Sequence, residues 1–274
     1  MKADISSYKK SSFGPAFLFL SKRRREALAV YYAFCRLMDD IADEPTVQDP
    51  QKELDFWREE IERAFAGRAG TALGRDIQKI SQEFDIPQDR FLLLIEGMEA
   101  DLQGKRYATF DELTGYLWRV AGIVGLATLD ILGVKGPQAQ ELAQQLGFAV
   151  QTTNIIRDVY EDVLLKRVYL PEDLLQKYGL SRAAILTGTC GEKIVPVLKE
   201  LAERSKMFYC AASQTMQGQP WHKMLPCRIM GLVYRANLAK IEKAKFCFTR
   251  TIKLTKFEKL LNCIYALFKT DFNN

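Results

Sequence analysis

The amino-acid sequence predicts an all-α protein, and three observations carry that prediction. Apolar residues recur with helical period through most of the 274 residues. No run of alternating Val, Ile or Thr bounded by Asn-Gly or Asp-Gly turns is found. Breakers rich in Gly and Pro divide the chain into long segments. With no linker, repeat or low-complexity tract, residues 1–274 read as a single helical domain, a size that supports a substantial core. Hydrophobic residues at 48% and charged residues at 27% exclude the disordered and fibrous classes.

The first helical segment, REALAVYYAFCRLMDDIADE, ends at EPTVQDP (Glu44 to Pro50). From Ala27 to Cys35 it carries nine consecutive apolar or aromatic residues, which cover every side of a helix and predict burial. Yet Tyr32, Arg36, Asp39 and Asp43 line one stripe at i, i+4, i+7 and i+11. AGRAGTALG and DIPQ interrupt the next region, and GVKGPQ (Gly133 to Gln138) precedes the second unusual helix, ELAQQLGFAVQTTNIIRDVYEDVLLKR. Leu142, Leu146, Ala149, Ile156 and Tyr160 define one face there, widened by Phe148, Ile155, Val159 and Val163. Gly147, Gln151, Asn154, Asp158 and Asp162 form a narrow polar stripe opposite. LPEDLLQKYGLS, TGTCGEK and QGQPWHKMLP read as further breaks. The tail KFCFTRTIKLTKFEKLLNCIYALFK reads as a packed terminal helix with solvated lysines, the other reading being a helix lying on a membrane.

Composition narrows the chemistry. Six scattered cysteines without a CxxC pair read as buried thiols of a reducing compartment. The single His222 excludes multi-histidine metal sites and reads as a surface or packed residue. A formal charge of +5 without a nucleic-acid motif gives no case for a nucleic-acid partner. No apolar run is read as reaching the ~18 residues that span a bilayer, and FGPAFLFL lacks a cleavage site, so the protein is expected in the cytoplasm, with peripheral membrane contact allowed.

Two aspartate pairs at i, i+4, each on a mostly apolar helix with arginine beside it, need positive charge to offset their mutual repulsion and their burial. Hard oxygen ligands suit Mg²⁺, which takes one or two carboxylates and completes its shell with water and substrate phosphate. Arg36, Arg157, Lys166 and Arg167 are the cations placed to grip diphosphate oxygens beyond the metals. Metals and cations acting together on a diphosphate favour its departure, and an apolar cavity would shield the allylic cation left behind. An all-α nucleotide pyrophosphatase would use the same carboxylates without needing a long apolar cavity.

YAFCRLMDDIADE (Tyr32 to Glu44) and QTTNIIRDVYEDVLLKRVYLPEDLL (Gln151 to Leu175) resemble the two signature regions of the squalene and phytoene synthase family. The resemblance extends through SSF (Ser11 to Phe13), GMEADL and RYATFDELTGYLWRVAGIVGL to a looser YRANLAKIE. It implies the isoprenoid synthase fold around a central apolar cavity, and head-to-head condensation of two prenyl diphosphates with two or three Mg²⁺ ions. Asp39 and Asp43 match the first metal motif, Asp158 and Asp162 the second with Asn154 in it. Tyr32, Arg36, Gln151, Arg157 and Arg167 match diphosphate contacts, and Ser11 and Ser12 an N-terminal substrate-binding stretch. Tyr116 matches a tyrosine of the family's proton-transfer or cation-handling steps, with released diphosphate assisting, and packing beside Trp118 is its bland alternative. Tyr234 and Arg250 match late active-site residues across a gap. The wording YAFCRxxDDIADE favours farnesyl substrates and presqualene diphosphate over phytoene or dehydrosqualene formation. NADPH use stays open, since the family binds it without a Gly-rich motif. Relatives that act as non-catalytic assembly factors would be expected to lose the metal aspartates, and this chain keeps both pairs.

Overall fold

The structure is a computed structural model that describes residues 19–268 and 271–272. Twelve α-helices, and no strand, are found among the described residues. They are α1 Lys22–Asp43, α2 Pro50–Phe65, α3 Ala72–Phe84, α4 Asp89–Leu102, α5 Phe110–Leu117, α6 Ile123–Leu132, α7 Pro137–Leu164, α8 Glu172–Lys177, α9 Arg182–Leu186, α10 Ile194–Met216, α11 Trp221–Lys243 and α12 Lys256–Tyr265. Local chemistry sets several starts. Asp49 and Thr71 accept the N–H of Lys52 and Gly74 and cap α2 and α3, and Thr109 does the same for α5. Pro137 stands in the first turn of α7, where its missing N–H costs nothing.

α7 is the axis of the fold, packed against α6, α10 and α11. Its contact with α10 is latched by buried polar groups: Thr153 Oγ1 lies 3.0 Å from Tyr209 Oη, and Ser205 Oγ donates to the Ala149 carbonyl at 2.9 Å. Each hydroxyl therefore keeps a partner in the dry interface. On the opposite side α1 packs on α2, α3, α4 and α6. Both α1 and α7 lean on α6, and the space between them is a cavity of about 500 Å³.

Between α5 and α6 the chain widens into a π-helical turn, Trp118–Gly122. A Cβ on Gly147 of α7 would sit 2.8 Å from Gly122 Cα, so these two backbones touch where no side chain fits. The RVAG stretch is thus a packing device that brings the wall of the cavity against α7.

Four expectations need correction here. QPWHKMLP is not a loop: α11 begins at Trp221 and holds Pro226 in its interior. Pro226 has no N–H for the His222 carbonyl, but His222 is exposed and water can serve that oxygen. Tyr160, expected on the buried face of α7, is 45% exposed. One continuous helical stretch, Phe110–Leu132, is long and apolar enough to cross a bilayer, contrary to the expected lack of any such run; 56% of its window is buried inside the fold. All six cysteines are free, but only Cys190, Cys227 and Cys263 are fully buried.

Candidate active site

The nine apolar residues of α1 serve two surfaces. Ala27, Ala29, Val30, Ala33 and Phe34 are packed in the core, whereas Leu28, Tyr31, Tyr32 and Cys35 line the cavity. Beyond Cys35 the same cavity wall continues as Arg36, Asp39 and Asp43. α7 repeats the gradient, from Leu142, Leu146 and Val150 to Gln151, Asn154, Asp158 and Asp162, a span of roughly 30 Å at 1.5 Å per residue. Both helices therefore run from an oily end to an acidic one, and both present their C-termini, the negative ends of their dipoles, at the acidic end. The carboxylates and both dipole ends there favour a cation, and Arg36, Arg157 and Arg167 already answer part of that charge.

The two acidic stripes face each other. Asp43 of α1 raises the carboxyl of Asp162 on α7, and the guanidinium of Arg167 bridges toward α1 by hydrogen bonds to the Asp43 carboxylate and, at 3.0 Å, to the Ala42 carbonyl. Arg167 is aimed by the end of α7. Lys166 N–H bonds to the Val163 carbonyl and Arg167 N–H to the Asp162 carbonyl, with Lys166 left-handed at φ 58°, which turns the chain back over the cavity. Lys166 itself is exposed and outside the cavity, so it is not among the grouped cations.

Burial first, then repulsion from Asp43, pushes Asp39 up to about 7, with Arg36 opposing. Asp39 keeps 48% of its side-chain surface, but that surface opens on the cavity, with protein around most of the carboxylate. Burial followed by Asp158 pushes Asp162 up to about 8. Arg36 holds Asp39 and Asp40 at 2.9 and 2.6 Å, and Arg157 grips Asp158 through Nε at 2.7 Å and through Nη2. Tyr234 lies within hydrogen-bonding reach of Arg157.

This donor set fits a hard divalent cation. Asn154 donates from Nδ2 to Gln151 at 3.0 Å, while its buried Oδ1 has no partner and stands on the cavity wall beside Asp158. Among the described residues no three His, Cys, Asp or Glu side chains converge on one point. A cation held here would therefore draw most of its ligands from water and substrate phosphate.

Sequence reasoning missed a third acidic element. Asp101, near the end of α4, is buried and accepts hydrogen bonds from Tyr116 Oη at 2.9 Å and Tyr169 Oη at 2.7 Å. Burial pushes it up to about 6, and Arg167 with the two phenols pulls it back. Tyr116 stacks on Tyr169 with ring centroids 5.1 Å apart, so its partner is Tyr169 and not Trp118. Burial and the Asp101 charge drive the Tyr116 phenol far up, and the ring stays neutral with its proton toward Asp101. The signal for Asp101 was GMEADL itself, a carboxylate in an apolar helical stretch.

Of the residues singled out from sequence, Tyr32, Arg36, Asp39, Asp43, Tyr116, Gln151, Asn154, Arg157, Asp158, Asp162, Arg167 and Tyr234 share one cavity. Arg250 does not line it: it is exposed and lies by Cys247, in the segment after α11. Ser11 and Ser12 fall outside the described residues.

A family model described as squalene/phytoene synthase matches residues 8–258. The chain belongs to that family. Its chemistry is head-to-head joining of two prenyl diphosphates, which makes the protein a prenyltransferase. The sequence is 34% identical over 256 residues to a presqualene diphosphate synthase of Rhodopseudomonas palustris, covering 91% of this chain and 90% of that one. It is 34% identical over 266 residues to phytoene synthase 2 of Solanum lycopersicum, covering 93% and 85%. Against the phytoene synthase of an Oncidium hybrid, at 33% over 253 residues and 89% of this chain, it spans only 61% of the relative's length. Among solved structures, the squalene synthase HpnC from Alicyclobacillus acidocaldarius superimposes with a TM-score of 0.81 at 27% identity, covering 88% of this chain and 91% of that one. A dehydrosqualene synthase in complex with ligand shares the fold at TM-score 0.82 and 23% identity, covering 96% and 93%.

Proposed function

We propose that the enzyme condenses two farnesyl diphosphates into presqualene diphosphate. The observation that carries this reading is the convergence of acidic ridges from α1 and α7 on the polar end of one cavity whose other end is oily. The match along nine-tenths of a presqualene diphosphate synthase supports the farnesyl substrate. Phytoene or dehydrosqualene formation is the second reading, favoured by equal identity to a plant phytoene synthase.

Asp39, Asp43, Asp158 and Asp162, with the Asn154 amide oxygen, would hold Mg²⁺. When bound, the metal supplies charge that stabilises a departing diphosphate. Arg36, Arg157 and Arg167, already held in place by carboxylates, would turn their remaining N–H groups to diphosphate oxygens. One substrate loses its diphosphate with the electron pair of the C1–O bond. The C2–C3 π pair of the second substrate then bonds to that C1. Loss of a proton from the same C1 provides the pair that closes the cyclopropane, and the second diphosphate stays attached.

The hydrogen bond from Tyr116 to Asp101 supports a relay for that proton. The Tyr116 hydroxyl takes it while passing its own to Asp101, so no phenolate forms. Leu28, Leu94, Met98 and Leu146 keep water from the cations.

Incubation with farnesyl or geranylgeranyl diphosphate and Mg²⁺, with and without NADPH, followed by mass analysis of products, tests the reading. Presqualene diphosphate from farnesyl diphosphate is expected. A C40 product alone would replace it with the phytoene reading, and no product from either substrate would overturn both.

A further inference from the structure

A helix on the surface of a water-soluble protein normally turns its apolar face to the core. α12 does the reverse. Its buried residue is the small Cys263, and just past its end Ala266 is buried too. Phe257, Leu260, Leu261 and Ile264 lie within roughly 100° of arc at 100° per residue, and they are 67%, 55%, 48% and 47% exposed. Phe268, in the turn that follows, is 81% exposed. Together these five side chains offer roughly 500 Å² of open apolar surface, at the upper end of what a monomer's largest patch shows.

The helix is nonetheless firmly built. Thr255 and Glu258 form a reciprocal capping box, and Lys240 of α11 anchors Glu258 at 2.7 Å. The outward face is therefore that of an ordered helix. Its approach segment is tied to the polar end of the cavity, where Glu161 accepts from Thr251 at 2.6 Å and Lys253 at 3.3 Å. Leu164, at the end of α7, is 67% exposed.

Charge identifies the occupant. Arg250 and Lys256 are exposed at the start of the helix and in the stretch that leads into it, while the exposed Lys253 is paired with Glu161. Two copies meeting on this face through a two-fold axis would set these cations against one another. An anionic lipid surface gives them counter-charges while its acyl region takes the apolar face.

We propose that α12 is an interfacial helix that seats the enzyme on an anionic membrane surface with the cavity opening beside it. Such seating would let long-chain substrates and a long-chain product pass between bilayer and cavity without crossing bulk water.

The test is flotation of the full-length protein with phosphatidylcholine vesicles and with vesicles containing phosphatidylglycerol, with light scattering for oligomeric state. The protein is expected to float with the anionic vesicles at low salt and to bind neutral ones at least tenfold more weakly. The triple variant F257S/L261S/I264S should lose at least tenfold in vesicle affinity and keep its turnover of detergent-dispersed substrate. Lys256→Glu should weaken binding to anionic vesicles only. The proposal is overturned if the native protein stays with the unbound fraction, or if it is a dimer that the triple variant splits without any change in flotation. Flotation reads partition and not turnover, so its failure leaves the catalytic reading intact.

Discussion

Replacing Asp101 with Asn should make the protein more stable at neutral pH and nearly inactive. The Asp101 carboxyl is 8% exposed and is pushed up to about 6 from an ordinary 3.8. A raised carboxylate pKa means that ionisation costs more in the folded chain than in the unfolded one. The cost is absent below about pH 4, grows as pH rises, and is complete above about pH 6. About two pKa units at 1.36 kcal/mol each give roughly 3 kcal/mol. Asn is neutral at every pH, so D101N should match the native protein at pH 4 and exceed it by roughly 3 kcal/mol at pH 7.5. Asp39 and Asp162 remain in both proteins, and Asp162 gains further relief because Asp101 is one of the charges that raise it. Urea melts at both pH values in metal-free buffer measure the difference. The amide presents N–H where one phenol donated, so Tyr116 and Tyr169 cannot both keep their bonds. Loss of an aligned proton relay should lower kcat by about 10²–10⁴-fold. A native pH slope in D101N, or full kcat, would refute the assignment of Asp101 as a strained carboxylate partnering Tyr116.

Four other outcomes follow from the same geometry. Asp43→Ala and Asp158→Ala should each abolish turnover while the circular dichroism spectrum stays helical, and near-normal activity in both would remove the metal role. Because Asp39 and Asp162 sit near about 7 and 8, Mg²⁺ must displace protons from them, so its affinity should fall as pH drops through that range; calorimetry in buffers of different ionisation heat reads the protons released. Gly147→Ala should destabilise by about 1–3 kcal/mol, because the new methyl meets the Gly122 backbone with no flexible group to yield, and a thermal melt measures it. Tyr116→Phe should depress kcat far more than KM, since the hydroxyl is assigned a proton and no part of substrate binding.

The all-α class and most breaker positions were legible, because amphipathic period and Pro/Gly punctuation are local properties. The aspartate pairs were legible for the same reason, since i, i+4 spacing alone puts both carboxylates on one side of a helix. Asp101 was not. An acid in GMEADL looks like any solvated helix residue until α5 and the residues before α8 bring Tyr116 and Tyr169 onto Asp101. QPWHKMLP misled because Pro226 signals a break, whereas burial of Met224, Leu225 and Cys227 overrides that signal.

The sequence by itself determined an all-α chain, two acidic helical ridges and the family they resemble, because each depends on residues within a few turns of one another. Only the tertiary structure decided that the ridges face one cavity, that Arg167 crosses from α7 to Asp43, that Arg250 stays outside, and that α12 turns its apolar face away from the core. Those relations join residues far apart along the chain, and they follow from how helices pack around α6 and α7, which no local period records.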